Sequence, residues 1–251
     1  GAYPVAFYYD DQNQTLEPVP MLAFDRKSVN IMSKHFDVSG VSSGLSKSYR
    51  VFSSDPLSRY ARLIITMVNK EIVDAIALKE PSITTGYSPG VDDWEFINMG
   101  SYIAQPGICA GQNLSSLWYY FEKKIKLRQA PLHHRYDSVN VSPNQIWQDN
   151  PLGYRMATAV QKKVDWEAYM LKVYENLIGM QDDWTWSALV LSMYTFHEPF
   201  DLGAYGFDSQ GNTAGHDVIA YAINAPGRSI AIADPNYPGD KTRRVTYNGA
   251  T

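Results

Sequence analysis

The chain has 251 residues, of which 45% are hydrophobic, 13% aromatic and 19% charged, a composition that suits one large domain or two small ones with a sizeable core. Its net charge of −4 gives no electrostatic case for a nucleic-acid partner. No stretch approaches the roughly 18 apolar residues of a membrane span, and a single cysteine forms no internal disulfide, which indicates a reducing compartment.

The first part of the chain is predicted to form two strands and a long helix. Residues 3–9 and 19–24 have the pattern of strands. Asp55 and Pro56 are typical of a helix start, as an N-cap residue and the first helical residue. Apolar residues at helical spacing follow them and predict a helix that ends before Pro81.

The middle of the chain is predicted to be a loop followed by helices. Residues 82–107 are rich in glycine and proline, and loops held by a scaffold often carry function. A helix is predicted over 109–128, and a second helical stretch begins near residue 142 or 152 and ends at 178. Residues 184–196 are apolar and aromatic, which fits a buried helix or a strand equally well.

The last part of the chain changes to strand periodicity. Strands are predicted over 216–223, 229–233 and 243–247, with turns at 226–227 and 235–239 between them. These strands form an antiparallel meander. Helices followed by a segregated antiparallel sheet indicate an α+β fold.

Cys109, the only cysteine, stands at the predicted start of a helix. The unsatisfied N–H groups and the positive dipole at that end of a helix favour thiolate over thiol. A cysteine nucleophile needs a basic partner, and an imidazole in that role needs a group that orients it. His216 opens one strand and Asp234 closes the next, and antiparallel neighbours lie about 4.8 Å apart. We therefore predict a triad of Cys109, His216 and Asp234.

Such a site also needs donors for the oxyanion of the tetrahedral intermediate. The backbone N–H of Cys109 is one candidate. The side-chain amide of Gln105 is the nearest second donor, and that of Asn98 is the weaker choice.

Three motifs carry a resemblance to a known family. They are Gly-Ile-Cys-Ala-Gly at 107–111 with Trp118 nine residues after the cysteine, Gly-His at 215–216, and Ala-Asp-Pro-Asn-Tyr at 233–237. Together they resemble papain-like cysteine proteases, above all the YopT-type (AvrPphB-like) proteases of bacterial effectors and large toxins. Two departures stand out. The papain pattern has its oxyanion glutamine six residues before the cysteine, whereas Gln105 is four before it, and Asp217 follows the histidine where the family has a small apolar residue.

The resemblance implies Cys109 as nucleophile, His216 as base and Asp234 as orienting carboxylate. It implies a papain-like fold over residues 101–251, with a helical lobe whose nucleophile helix packs against an antiparallel sheet. Residues 1–100 are then an N-terminal extension or an additional lobe. The implied function is proteolysis of a protein or peptide substrate, with no cofactor and no metal, by a bacterial protein delivered into a host cytosol.

Other functions use the same residues. The triad also carries out glutamine deamidation and transglutaminase-type acyl transfer, and the chain could instead be an inactive papain-like binding domain. In that last case Cys109 is a small buried hydrophobe, His216 a core histidine and the Asp234 segment only a turn. Asn236 is the fallback orienting residue, because an amide can also hold an imidazole.

Several remaining polar groups are interpreted as structural. His133 and His134 are adjacent and lack further ligands at zinc spacing. The acidic pairs at 92–93 and 182–183 fit no calcium loop and are interpreted as solvated loop charges. The basic residues between 123 and 128 are interpreted as a solvated helix face. Glycines at 203, 206 and 211 are interpreted as a mobile flap over the cleft.

Overall fold

A computed structural model describes residues 2–10, 14–19, 21–24, 29–31, 62–80, 82–136, 152–163, 182–207, 210–211 and 213–248. The chain divides into two compact units. Unit 1 comprises Gly1–Glu80, Asp165–Phe196 and Tyr247–Thr251, and unit 2 comprises Pro81–Val164 and His197–Thr246. This division differs from the predicted one at residue 100, because residues 81–100 belong to unit 2 and residues 165–196 belong to unit 1.

The described strands in chain order are β1 (Ala2–Asp10), β2 (Thr15–Val19), β3 (Met21–Phe24), β4 (Val29–Ile31), β5 (Arg62–Asn69), β6 (Ser82–Thr84), β7 (Phe200–Phe207), β8 (Thr213–Asn224), β9 (Ser229–Ala233) and β10 (Arg244–Thr246). The described helices are α1 (Lys70–Lys79), α2 (Cys109–Trp118), α3 (Leu152–Lys163) and α4 (Asp182–Phe196), and a π-helical segment, Tyr119–Lys126, continues α2. None of the described helices has both the length and the hydropathy that a bilayer span requires. The mixture of helices with antiparallel sheets is α+β, as predicted.

Unit 1 is built on a three-stranded antiparallel sheet in the order β2-β1-β5. Strands β3 and β4 pair separately as an antiparallel hairpin. The strands predicted over 3–9 and 19–24 correspond to β1 and to the region of β2 and β3. Residues 184–196, which the sequence left undecided, belong to helix α4.

The predicted helix ending before Pro81 is wrong over its middle part, which forms strand β5. The segment Ile64–Val68 is rich in β-branched residues, which pack well in a sheet, and β1 offers it a continuous antiparallel partner. The helix begins only at Lys70, where Asn69 Oδ1 accepts a hydrogen bond from the Glu71 N–H at 3.1 Å as an N-cap. Residues 55 and 56 lie outside the described residues.

Unit 2 contains a five-stranded antiparallel sheet centred on β8. One edge of β8 pairs with β9, which pairs in turn with β10. The other edge pairs with β7 along residues 213–220 and with β6 along residues 222–224. The predicted meander of the last three strands is confirmed.

The predicted flap before β8 is wrong, because two of its glycines are part of a strand. Gly203 and Gly206 lie in β7 and pair with Asp217 and Ala214 of β8. Only Gly211 lies in a turn, with φ +81°. Glycine carries no side chain that reveals strand alternation, so the pattern was hidden in the sequence.

The helix predicted over 109–128 is confirmed as α2 with its π-helical continuation. The second predicted helix includes α3, whereas its alternative start near 142 and its predicted end at 178 lie outside the described residues. Helix α2 packs against both β8 and α3. Its buried side is unusually small and polar, with Ala110, Gly111, Ser115 and Ser116 nearly excluded from solvent.

Gly111 sets the distance between α2 and α3. A Cβ atom at this position would lie 2.0 Å from the Ala157 carbonyl oxygen and 2.8 Å from the Gln161 backbone nitrogen. Both are backbone atoms of α3, so the two helices would have to separate to admit even a methyl group. Position 111 therefore requires glycine for packing, although glycine costs helix stability.

We expect Gly111→Ala to lower the free energy of unfolding by about 2–4 kcal/mol, because overpacking against a backbone outweighs the gain in helix propensity. Urea unfolding followed by circular dichroism measures this change. Gly227→Ala is the matched control, since its added Cβ would make only ordinary contact with Asn224, and it should change stability by less than about 1 kcal/mol. A Gly111→Ala variant more stable than the wild type would show that α2 and α3 leave room for a methyl group at this position.

Candidate active site

Cys109 is the first residue of α2 and is partly exposed. The N-cap residue before it, Ile108, is fully buried and provides no side-chain cap. Its N–H instead donates to Asn98 Oδ1 at 2.7 Å, and the N–H of Gly111 donates to Gln161 Oε1 at 2.7 Å. The start of the helix is therefore held on both sides by side-chain oxygens, which fixes the position of the thiol.

His216 is hydrogen-bonded to both of its predicted partners. The His216 Nε2 atom lies 2.8 Å from Asp234 Oδ1, and the Cys109 side chain also forms a hydrogen bond with the ring. With Nε2 turned toward Asp234, Nδ1 is the ring nitrogen left for the sulfur. The structure thus brings Cys109, His216 and Asp234 together across 125 residues of chain, since 234 − 109 = 125.

These contacts raise the pKa of His216 to about 9, with the Asp234 hydrogen bond as the largest cause and the Cys109 hydrogen bond as the next, against the opposing effect of partial burial. The ring is therefore an imidazolium at neutral pH. Because the folded-state pKa lies above the unfolded value of 6.5, the stability that this charge contributes is complete below pH 6.5. It is lost as the pH rises from 6.5 through 9.

Asp234 stays ionised although it is buried. Burial by itself would raise its pKa, but the hydrogen bond from His216, the Asn236 N–H at 2.9 Å and the Arg243 guanidinium together lower it. The Arg243 Nη2 atom lies 3.7 Å from Asp234 Oδ2, and its guanidinium stacks on the Tyr237 ring at 3.9 Å. Arg243 stands in no recognisable motif of the sequence, so no local pattern points to this contact.

Asn98, rather than Gln105, is hydrogen-bonded at the helix start. Gln105 is exposed in a turn, and its carbonyl oxygen lies against Gly100. Asn98 lies beside Gly107, where a Cβ would come 3.1 Å from Asn98 Oδ1 and where φ is +152°. Glycine at 107 is thus favoured both by its backbone conformation and by the close approach of this amide.

The acidic pair at 92–93 is buried, so its interpretation as solvated loop charge is wrong. Asp92 accepts from the Ser88 N–H and forms an ion pair with Lys124 at 2.7 Å, which also removes Lys124 from the predicted solvated face. Asp93 accepts from the N–H groups of Gly90 at 2.6 Å and Gly239 at 2.8 Å. Burial raises the pKa of Asp93, and these two hydrogen bonds oppose that effect.

The two histidines at 133–134 both contact carboxylates. His133 Nδ1 lies 3.2 Å from Asp93 Oδ1, and the His134 N–H donates to Glu95 Oε2 at 3.2 Å. Within the part of the chain that the structure describes, no group of three or more His, Cys, Asp or Glu side chains could hold a metal ion. The side chains at 182–183 lie outside the description.

The chain was also compared with known proteins. No family model, no curated protein and no solved structure matches it. The chemistry of the site is therefore inferred from its own geometry.

A small cavity of about 10 Å³ is lined by α2 and by the turn that carries Asp234. Gln112 is 3% exposed and faces this cavity; its Nε2 donates to the Phe96 carbonyl at 2.8 Å, while its Oε1 has no partner among the described residues. A volume of this size holds one water at most. It is too small for a substrate, which would have to bind on the open side of Cys109.

Asp217, next to His216 in β8, is a buried carboxylate. It is 5% exposed, and burial raises its pKa to about 6, against the attraction of His216. On the same face of the neighbouring strand lies Asp201, whose Oδ1 accepts from Asn113 Nδ2 of α2 at 3.3 Å. Asp201 therefore contacts α2, and Asp217 lies on the same face of the sheet as Asp201.

We expect Asp234→Asn to lower the pKa of His216 from about 9 by at least one unit, because the largest cause of the elevation is removed. Nuclear magnetic resonance titration of the ring Cε1–H measures this value directly. The exposed His134 in the same spectra serves as the internal control and should not move. An unchanged midpoint for His216 would contradict the assigned pairing.

We expect Asp217→Asn to stabilise the protein at pH 7 by about 1–3 kcal/mol. The folded-state pKa near 6 exceeds the unfolded 3.8, so the charge destabilises the fold progressively as the pH rises from 3.8 through 6. The gain should therefore vanish near pH 4 in denaturant unfolding. Asp74→Asn, at a half-exposed position on α1, is the control and should show no comparable pH-dependent gain. A gain that persists at pH 4 would rule out the electrostatic cause.

Proposed function

We propose that this protein is a cysteine-nucleophile hydrolase of the papain-like type that acts on a protein or peptide substrate. The observation that carries the proposal is the His216 imidazole hydrogen-bonded at once to the only thiol of the chain and to the Asp234 carboxylate. A protonated imidazole beside a sulfur stabilises the thiolate by direct attraction. In this proposal Cys109 is the nucleophile and His216 is the acid.

The first half of the reaction forms an acyl-enzyme. The Cys109 thiolate attacks the carbonyl carbon of the scissile amide, and the carbonyl oxygen becomes an oxyanion. The N–H of Cys109, at the positive end of α2, is the donor that we propose for that oxyanion. His216 then gives its proton to the leaving amine, the C–N bond breaks, and a thioester remains on Cys109.

The second half regenerates the enzyme. The neutral imidazole accepts a proton from an incoming water, whose oxygen attacks the thioester carbon. The carboxylic acid product leaves, and the Cys109 thiolate and the His216 imidazolium form a pair again. Asp234 holds the ring by Nε2 throughout and stabilises its positive form, without itself taking a proton.

The surface next to the nucleophile suits a peptide chain. The loop that leads into α2 presents Tyr102, 76% exposed, and Ile103, 50% exposed. Apolar side chains exposed to solvent this near Cys109 in the chain offer contact area to the side chains of an extended substrate.

A thiol-reactivity experiment tests the nucleophile without knowledge of the substrate. Because Cys109 is the only cysteine, iodoacetamide labelling reports on it alone. We expect the native protein at pH 6 to react at least tenfold faster than the urea-unfolded protein, and His216→Ala to remove this advantage. His134→Ala, which changes an exposed histidine outside the site, is the control and should keep the fast reaction. Equal rates for native and unfolded protein would defeat the proposal.

A turnover experiment tests the reaction itself. Against a panel of unfolded protein substrates, we expect Cys109→Ala to lose at least a thousandfold in kcat/KM while it keeps the wild-type unfolding curve. Asp234→Ala should lose less, because it orients the base and is not the reacting group. Full activity of Cys109→Ala would refute the assignment. Ammonia release without chain cleavage would refute proteolysis and favour deamidation by the same residues.

A further inference from the structure

A chain of side-chain amides connects the start of the nucleophile helix to His216. The Ile108 N–H donates to Asn98 Oδ1 at 2.7 Å, and Asn98 Nδ2 donates to Asn236 Oδ1 at 3.0 Å. Asn236 Nδ2 in turn lies 3.2 Å from His216 Nε2. The Asn98 backbone N–H also donates to the Pro235 carbonyl at 2.7 Å, which ties the loop before α2 to the turn after Asp234.

The direction of this chain is fixed by its first member. A backbone N–H can only donate, so Asn98 must turn its oxygen toward Ile108 and its NH₂ group toward Asn236. Asn236 must then present its oxygen to Asn98, which leaves its own NH₂ group facing His216. The orientation of both amides therefore follows from the hydrogen-bond pattern alone.

The NH₂ group of Asn236 and the carboxylate of Asp234 make opposite demands on the same ring nitrogen. Asp234 Oδ1 at 2.8 Å accepts a hydrogen bond and favours a proton on Nε2. The Asn236 NH₂ group can only donate, and it favours an Nε2 that carries no proton. The position of Asn236 thus opposes the imidazolium that Asp234 promotes.

We propose that Asn98 and Asn236 are positioning residues that form an amide relay, through which the start of α2 orients His216 and limits its basicity. The inference rests on the proposed function, because it assigns the relay to the base of that reaction. Asn98 acts on His216 only through Asn236, which is exposed, whereas Asn236 touches the ring directly. The titratable groups that interact with the ring are Cys109 on α2, Asp217 on its own strand and Asp234 after β9, and Arg243 faces Asp234 from its other side.

The test is a double-mutant cycle read by the titration of His216. We expect Asn236→Ala to raise the pKa of His216 by about half a unit, because a donor that opposes the Nε2 proton is removed. Asn98→Ala should shift it in the same direction, because Asn236 can then rotate and offer its oxygen to Nε2–H. The double variant should match Asn236→Ala alone, since the relay acts in series.

Controls keep the relay separate from general structural damage. Asn224→Ala removes a comparable amide, one that accepts from the Gly227 N–H at 3.1 Å in a hairpin turn, and it should leave the His216 titration unchanged. If Asn98→Ala does not fold, the sign of the shift in the exposed Asn236→Ala variant decides the proposal. A shift of zero or downward in Asn236→Ala overturns it, as do additive shifts in the double variant.

The cycle does not depend on catalysis. Titration of His216 and iodoacetamide labelling of Cys109 need no substrate, so both can succeed or fail whether or not turnover is found. Alkylation should follow the same pattern. The pH above which the alkylation rate loses the contribution of protonated His216 should be higher in Asn236→Ala and in Asn98→Ala than in the wild type. Inactivity toward every substrate would therefore count against the proposed function and leave the relay intact.

Discussion

The hydrogen bond between His216 and Asp234 is the interaction on which the site depends. His216 lies in β8 and Asp234 follows the last residue of β9, so their meeting requires the register that places Ile219 opposite Ala233. A slip of one residue would turn every side chain of a strand to the other face of the sheet. The contact between His216 and Asp234 thus depends on the pairing of β8 with β9 as well as on the two side chains.

That register includes a β-bulge in β8, which is held by hydrogen bonds from Thr85. The pairing of β8 with β9 shifts between Ala220 and Ala222. The carbonyl of Tyr221, between them, accepts from the Thr85 N–H at 3.1 Å and from Thr85 Oγ1 at 2.8 Å. A bulge bends and twists its strand, and these bonds fix where the bend occurs. The position of the bend therefore sets the direction of the first part of β8, which carries His216.

The turn after Asp234 is held by hydrogen bonds to the buried carboxylate of Asp93. Asp93 accepts from the backbone of Gly239, beyond Asp234, and of Gly90, within its own loop. Both glycines have positive φ, +75° and +76°, and a Cβ on either would lie only 3.6 Å from the other's Cα. A buried carboxylate is costly unless its oxygens are satisfied, so this arrangement strongly favours one turn conformation.

Features that depend on neighbouring residues in the chain could be predicted from the sequence, whereas features that depend on contacts between distant segments could not. The meander of β8, β9 and β10 was predictable because its turn residues and alternation are local signals. Strand β5 was not, because its β-branched residues also fit helical spacing and only pairing with β1 settles the matter. Cys109, His216 and Asp234 could be proposed from residue type and order. The contact of Asn98, and not of Gln105, with the start of α2 depends on a loop path that no local pattern encodes.

Asp234 stays ionised in a buried position because its hydrogen-bond and charge partners oppose the effect of burial on its pKa. A carboxylate 7% exposed would by burial alone tend toward its neutral form, and a neutral acid would hold the imidazolium weakly. Arg243 lies on the side of Asp234 away from the hydrogen-bonded Oδ1, and its stacking on Tyr237 fixes the guanidinium where it favours the charged form. The hydrogen bond from His216 lowers the pKa of Asp234 most, and the Asn236 N–H and Arg243 lower it further. Asp234 and His216 therefore stabilise each other's charged forms, and Arg243 adds to this pairing from the other side of the carboxylate.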